Sequence, residues 1–239
     1  MSDDKIDRIS GSDLIAFFDM DGTLTGDFDY DKHRGTTAWS RLAKSISEET
    51  YDEKCRINDE WYNGEIESYT AWVDKTISLY SSHGLSRSAY ENVINSLQYN
   101  EGVIEAFEEL SNYNIKTVIL TGGFKFQAMM VKKKLGIDHV VAACELEWED
   151  GGISGYNVIP LNKNGKRTMM DMYTRNMAEG NPVTAYVGDG KNDVEAIKNA
   201  DLGVTYDGHE EAEAVADVSY DSNADFTEVS NHLIEFYDL

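Results

Sequence analysis

Residues 14–23 read LIAFFDMDGT: five apolar residues run without interruption into Asp19, Asp21, Gly22 and Thr23. Continuous apolar character, rather than alternation, suits a strand covered on both faces of a parallel sheet. Such a strand presents its last side chains at its carboxyl end, where open α/β sheets bind ligands. Asp19 and Asp21 are two positions apart, so on an extended backbone they project from the same side, and Gly22 lets the chain turn away sharply. Two carboxylates this close need a cation or a shared proton to coexist.

Working outward, apolar runs of the same kind recur at Lys116–Thr121, His139–Cys144, Val183–Gly188 and Leu202–Thr205. Helical patterns lie between them, at Gly102–Leu110, Lys125–Leu135, Lys166–Met177 and Asp193–Ala200. Strands alternating with helices predict an α/β, doubly wound parallel sheet. The spacing is broken once, after the first strand. Roughly ninety residues pass before the second strand, with no convincing strand among them but four helix-length segments, Thr36–Ser47, Glu49–Tyr62, Glu67–Tyr80 and Ser86–Ser96. A structureless loop of that length is rare, so an inserted helical body is predicted. Its aromatic residues, Trp39, Trp61, Tyr62, Tyr69 and Trp72, are assigned to the core of that body. A second excursion, Glu145–Pro160, has Glu149-Asp150-Gly151-Gly152 at its centre and is read as a hairpin.

Composition narrows the function classes. Hydrophobic residues make up 41% of the 239, enough for a packed core without staples. The two cysteines, Cys55 and Cys144, have no metal-like spacing and read as reduced thiols. The N-terminal stretch MSDDKIDRIS is polar and acidic, unlike a secretory signal, and no apolar run reaches the roughly 20 residues of a membrane span. A cytoplasmic protein, monomer or homodimer, is expected. The formal charge of −23, spread along the chain, repels nucleic acid and anionic membranes, so neither is expected as a partner. It also repels a phosphorylated ligand, which makes local positive charge at any phosphate site a requirement. Adaptation to high salt is one account of the charge; the excess of lysine over arginine, 14 to 7, speaks against it.

Three further stretches carry candidate chemistry. Val187-Gly188-Asp189-Gly190-Lys191-Asn192-Asp193 is again strand, glycine-rich loop and helix, with Asp189 and Asp193 offering hard oxygens for Mg²⁺. Thr121-Gly122-Gly123 ends a strand and opens a helix, so a hydroxyl and free backbone N–H groups form an anion site. In Asn162-Lys163-Asn164-Gly165-Lys166-Arg167, either Lys163 or Lys166 is a candidate cation at a helix start.

Taken in chain order, these motifs resemble the haloacid dehalogenase superfamily: Asp19-Met20-Asp21-Gly22-Thr23 matches its first motif, Thr121 its second, Lys166 its third and Gly188–Asp193 its fourth. The match runs the length of the chain, and LTGGFKFQAMMVKKKLGID with VGDGKNDVEAIKNADLGV resembles the phosphoserine phosphatase branch in particular. The resemblance implies a Rossmann-like core formed by residues 1–26 and 98–239 with a helical cap at 27–97. It implies a Mg²⁺-dependent phosphomonoesterase acting on a small phosphorylated metabolite, phosphoserine first, through an aspartyl-phosphate. Asp19 is then the nucleophile and Asp21 the acid and base. Mg²⁺ would be held by Asp19, the Asp21 backbone carbonyl and Asp189, with Asp193 in a second shell. Thr121, Gly122 and Lys166 hold the phosphoryl group, and Asn192 contacts substrate. The branch also places a glutamate just after the first motif and an arginine in the cap; residues 24–34 contain no glutamate, and Arg41 and Arg56 are the candidate arginines. A phosphomutase or sugar-phosphate phosphatase of the same superfamily shares these motifs. A dehalogenase would need neither Asp21 nor the fourth motif, and a silent binding protein would be expected to have lost one of Asp19, Asp21, Lys166 and Asp189.

Overall fold

The computed structural model describes residues 14–26, 37–161, 164–177 and 182–238. Among the described residues seven strands form one sheet, in the order Gly152–Val158, His139–Glu149, Ile115–Phe124, Leu14–Phe18, Val183–Gly188, Leu202–Tyr206, Val218–Tyr220. Its centre is β1 (Leu14–Phe18), flanked by β4 (Ile115–Phe124) and β7 (Val183–Gly188), both parallel to it. β8 (Leu202–Tyr206) and β9 (Val218–Tyr220) extend the sheet beyond β7, also in parallel. On the other side β5 (His139–Glu149) runs parallel to β4, and β6 (Gly152–Val158) returns antiparallel as the hairpin expected from sequence. That hairpin turns through Asp150 and Gly151, both at positive φ (51° and 82°), as a tight two-residue connection requires.

The uninterrupted apolar run of β1 is used on both faces. Leu14, Ala16 and Phe18 join a core with α5 (Val103–Leu110), α6 (Lys125–Leu135) and α10 (Phe226–Asp238). Ile15 and Phe17 join a second core with α7 (Asn164–Met177) and α8 (Val194–Asn199). The sheet is therefore doubly wound. From β1 the chain goes on to β4 and β5, then crosses back to β7 on β1's other side, so the strand order reverses around β1. The carboxyl ends of β4, β1 and β7 border the crevice such a reversal creates.

Among the described residues, four helices lie between Gly26 and Gln98: α1 (Ala38–Ile46), α2 (Glu48–Tyr62), α3 (Tyr69–Ser82) and α4 (Arg87–Asn95). Each starts on a hydroxyl N-cap, Thr37, Ser47, Ser68 or Ser86, whose oxygen accepts from a backbone N–H in the first turn. The two-residue strands β2 (Thr25–Gly26) and β3 (Gln98–Tyr99) pair antiparallel where the chain leaves for these helices and returns. The helices pack onto the sheet through aromatic rings. Trp39 lies 4.1 Å from Phe124 at the end of β4 and 5.1 Å from Trp72, ring centre to ring centre. Trp39, Tyr69 and Trp72 are thus packed as expected, whereas Tyr62, at the end of α2, is 72% exposed and belongs to no core.

The short strands β2 and β3 and the elements after β8, which are α9 (Glu210–Glu213), β9 and α10, were not anticipated. β9 has three residues, too few for a periodic signal, but Phe226, Val229 and Leu233 form a helical stripe on α10, all of it buried. The chain holds free thiols at Cys55 and Cys144, and among the described residues no helix is long and apolar enough to cross a membrane.

One buried charge stands apart in the helical body. Lys54 is 1% exposed, its amine 4.6 Å from the centre of the Trp72 ring and bonded to Asn58 Oδ1. The same oxygen accepts the Trp72 indole N–H at 3.0 Å. Burial pushes the amine down from 10.5 to about 7. The unfolded chain thus binds the extra proton in the window between, and stability rises with pH across it. Lys54→Met keeps the bulk and removes the charge. It is expected to raise Tm at pH 7 by several degrees and to flatten the rise of Tm from pH 7 to roughly pH 9, read by thermal unfolding.

Candidate active site

Asp19 leaves β1 still tied to the sheet, its N–H donating to Val187 O at 2.9 Å. The chain then folds back on itself: Leu24 N–H and Thr25 N–H both donate to Met20 O, at 2.9 and 2.8 Å, and Gly22 N–H donates to Thr25 O at 2.7 Å. Asn100, directly after β3, clamps this turn from outside, its Nδ2 donating to Gly22 O at 3.1 Å and Thr23 O at 2.8 Å. Gly22 has φ +94°, and a Cβ there would lie 2.3 Å from Asp189 Oδ2. The glycine is therefore required twice, by its dihedral and by the carboxylate pressed against it. Asp189 is steadied from the same turn by the Thr23 hydroxyl, which donates to its Oδ1 at 2.8 Å.

Lys166 reaches this place from the first turn of α7. That turn lies close under the preceding chain: a Cβ at Gly165 would come within 2.2 Å of Pro160 O. The lysine is completely buried, with Nζ 2.9 Å from Asp19 Oδ2 and 2.6 Å from Asp193 Oδ1. Asp193 also accepts the Tyr186 hydroxyl at Oδ1 (2.6 Å) and the Gly190 N–H at Oδ2 (2.8 Å). Both its oxygens are thus engaged by the protein. Asp19 differs: its Oδ2 faces Lys166, while its Oδ1 is buried with no hydrogen-bond partner.

One oxygen each from Asp19, Asp189 and Asp193 lies within 4.8 Å of the others. Burial pushes the Asp19 carboxyl up to about 7, with Asp193 adding to the rise and Lys166 opposing it. Asp189 is raised well above the ordinary carboxylate range, by burial first and then by Asp19 and Asp193. Three carboxylates around one ammonium are short of positive charge, and one of them, Asp19, keeps an oxygen without a protein partner. This donor set fits a divalent cation such as Mg²⁺. Asp193 is the member least free to bind directly.

The second motif differs in one respect from the sequence reading. Gly122 and Gly123 do not open a helix: β4 continues to Phe124 after a register shift between Thr121 and Phe124, and α6 starts at Lys125. The two glycines therefore sit in a bulge of the strand. Asp21 lies beside them: a Cβ at Gly123 would be 3.0 Å from Asp21 Oδ2 and 3.2 Å from Thr121 Oγ1. Gln127 of α6 donates to Asp21 Oδ1 at 2.8 Å, and burial outweighs that bond in raising the carboxyl above its ordinary value.

Thr121, Gly122, Asp21, Asp19, Lys166, Asp189 and Asp193 are thus brought to one crevice. Asn192 is half-buried in the turn before α8, its Oδ1 2.4 Å from where a Cβ of Gly190 would be. Lys163 and residues 27–36 lie outside the described residues. Of the two candidate arginines, Arg56 pairs with Glu53 on its own helix, and Arg41 donates to Ser96 at 3.3 Å. Sequence reasoning missed the supports: Gln127, Asn100, Tyr186 and Tyr69, whose phenol donates to Gly122 O at 2.8 Å. None has a motif-like spacing, and only the fold brings them near.

The family model for haloacid dehalogenase-like hydrolases matches residues 16–198, and the chain belongs to that family. The phosphoserine phosphatase of Idiomarina loihiensis is 27% identical over 220 residues, covering 87% of this chain and 89% of that protein. That of Methanocaldococcus jannaschii is 24% identical over 193 residues, covering 80% and 84%. A solved phospho-aspartyl intermediate analogue of phosphoserine phosphatase superposes with a TM-score of 0.76 at 24% identity, spanning 92% of this chain and 99% of that one, and has the same fold. The chain is accordingly an enzyme, a hydrolase of the phosphatase type.

Gly22→Ala is expected to displace Asp189 and lower phosphatase activity more than tenfold, with the far-UV circular dichroism unchanged. Activity within twofold of wild type would mean that the contact between residues 22 and 189 is not needed.

Proposed function

We propose that this protein is a Mg²⁺-dependent phosphomonoesterase that hydrolyses a small phosphorylated metabolite, phosphoserine first, through an aspartyl-phosphate on Asp19. The observation that carries the proposal is the Asp19 carboxylate, with one oxygen held by Lys166 and the other buried without a partner. A carboxylate so arranged is oriented and poorly solvated, with one oxygen left to act as nucleophile. The similarity to phosphoserine phosphatases supports the choice of substrate.

In this reading Asp19 Oδ1 forms the bond to phosphorus as the bond to the leaving oxygen breaks, and that oxygen takes a proton from Asp21. Water then attacks the phosphorus and gives its proton to Asp21, the bond to Oδ1 breaks, and inorganic phosphate leaves. Lys166 and the Thr121 hydroxyl, with the Gly122 N–H, hold the phosphoryl oxygens and offset charge in a chain that is otherwise strongly anionic. Asn192 contacts substrate. Mg²⁺ would be held by Asp19, the Asp21 carbonyl and Asp189, and it supplies charge neutralisation between the phosphoryl group and the acids. Asp193, both of whose oxygens are taken by protein donors, acts on the cation only through water and mainly orients Lys166. The helical insert, α1 to α4, acts as a cap that closes over the crevice at the carboxyl ends of the sheet strands.

A panel of phosphomonoesters including L-phosphoserine and sugar phosphates, run on wild type and Asp19→Asn, tests this reading. Wild type is expected to release phosphate, Asp19→Asn to lose at least a thousandfold while keeping its fold, and EDTA to stop turnover until Mg²⁺ is restored. Full activity in Asp19→Asn removes the assigned nucleophile, and turnover that resists chelation removes the metal. Lys166→Met is expected to cost far more activity than Lys163→Met; the opposite order would transfer the role to Lys163.

A further inference from the structure

The bulge that carries Gly122 and Gly123 needs a restraint, because between Thr121 and Phe124 the ladder of β4 with β5 is out of register. A glycine pair outside a ladder has more backbone freedom than any other dipeptide. The peptide joining these two residues is nevertheless held at both ends. Its N–H, from Gly123, donates to Thr121 Oγ1 at 2.9 Å. Its carbonyl, from Gly122, accepts the Tyr69 phenol at 2.8 Å, a bond that crosses from the helical insert to the sheet.

Tyr69 is built to make that bond. It is the first residue of α3, directly after the N-cap Ser68, and is buried. Its ring stacks on Trp72 (5.7 Å between centres, 27° between planes), and Trp72 meets Trp39, which packs on Phe124, two residues beyond Gly122. The ring is thus clamped from the side that also anchors the insert to β4. Burial, reinforced by the nearby Asp19 and Asp21 carboxylates, holds the phenol far above its ordinary titration range. Tyr69 is therefore a donor at all working pH values, and it stands within electrostatic reach of the reacting carboxylates.

The consequence falls on Thr121. Its oxygen already accepts from Gly123, so its own hydrogen is left to donate elsewhere, and the direction of that donation depends on where the Gly122–Gly123 peptide stands. We propose that Tyr69 is a positioning residue for phosphoryl transfer: its phenol fixes the Gly122–Gly123 peptide and thereby aims the Thr121 hydroxyl at the phosphoryl oxygens. The phosphoryl pocket is then complete only when α3 lies against β4. A residue of the insert, far from the four motifs in sequence, becomes a condition for catalysis. The proposal rests on the reading of Asp19 and Thr121 given above.

Tyr69→Phe keeps the stacked ring and removes only the donor. It is expected to lower kcat on a phosphomonoester by roughly two- to tenfold, the worth of one net hydrogen bond, and to weaken inorganic phosphate binding in Mg²⁺ by a similar factor, with KM for the leaving group's other contacts little changed. In a Thr121→Ala background the same substitution is expected to cost less than twofold, because the hydroxyl it aims is gone. An undiminished cost in that background would make Tyr69 a structural support acting independently of Thr121, and no cost in the wild-type background would remove the role altogether. A wild type that binds phosphate as tightly as Tyr69→Phe ends this proposal alone. A wild type that neither binds inorganic phosphate nor hydrolyses any phosphomonoester ends the phosphatase reading, and this one with it.

Discussion

Lys166 brings an ammonium into a space from which water is excluded and divides it between Asp19 and Asp193, at 2.9 and 2.6 Å. Breaking a buried pair of this kind costs about 3–5 kcal/mol, since the surviving charge is left without compensation. Three segments distant in sequence must therefore meet with little tolerance: the end of β1, the start of α7 and the loop after β7. Much of the local structure serves that meeting. Tyr186 and the Gly190 N–H fill the remaining positions on Asp193, so its charge is committed to orienting the lysine. Gly188 leaves room for it, because a Cβ there would stand 2.6 Å from Asp193 Cγ. What is left over is one oxygen of Asp19, buried and without a protein partner, and the proposed phosphoryl transfer starts from that oxygen.

The site has two sides with different physics. On the β7 side, carboxylates outnumber cations, and the arrangement suits a divalent ion. On the β4 side, neutral groups dominate: a hydroxyl, two glycines and the amide of Gln127 on Asp21. A chain with a formal charge of −23 repels phosphorylated ligands at long range, but the range is about a Debye length, roughly 8 Å at physiological ionic strength. Inside the crevice the local balance decides. The helical insert belongs to the neutral side, joined to β4 by Trp39 on Phe124 and by Tyr69 on Gly122. Its position and the shape of the Thr121–Phe124 bulge are therefore linked.

Legibility followed the kind of signal. The run LIAFF had to be buried on both faces, and it is, with alternate residues in two different cores. The long strandless stretch had to fold as helices, and α1 to α4 lie within a few residues of the segments read from sequence. Glycine spacing at 22, 188 and 190 marked where backbone and carboxylates crowd together, which the close approaches at those positions explain. Where the signal was local and short, reading failed. β9 is three residues long, and the sequence ends the strand at Thr121, three residues short of Phe124, because a bulge and a helix start both favour glycine.

From its own order of residues the chain determined a doubly wound sheet, a helical insert and the places where acids, hydroxyl and lysine would stand at strand and helix ends, because hydrophobic periodicity and glycine chemistry act within a few residues. Tertiary structure alone decided which oxygen of Asp19 is left free, that Asp193 is consumed by three donors, and that Gln127, Asn100 and Tyr69 reach Asp21, the Gly22 turn and Gly122. Those are matters of a few tenths of an ångström between side chains far apart along the chain. They depend on packing, and no local pattern encodes them.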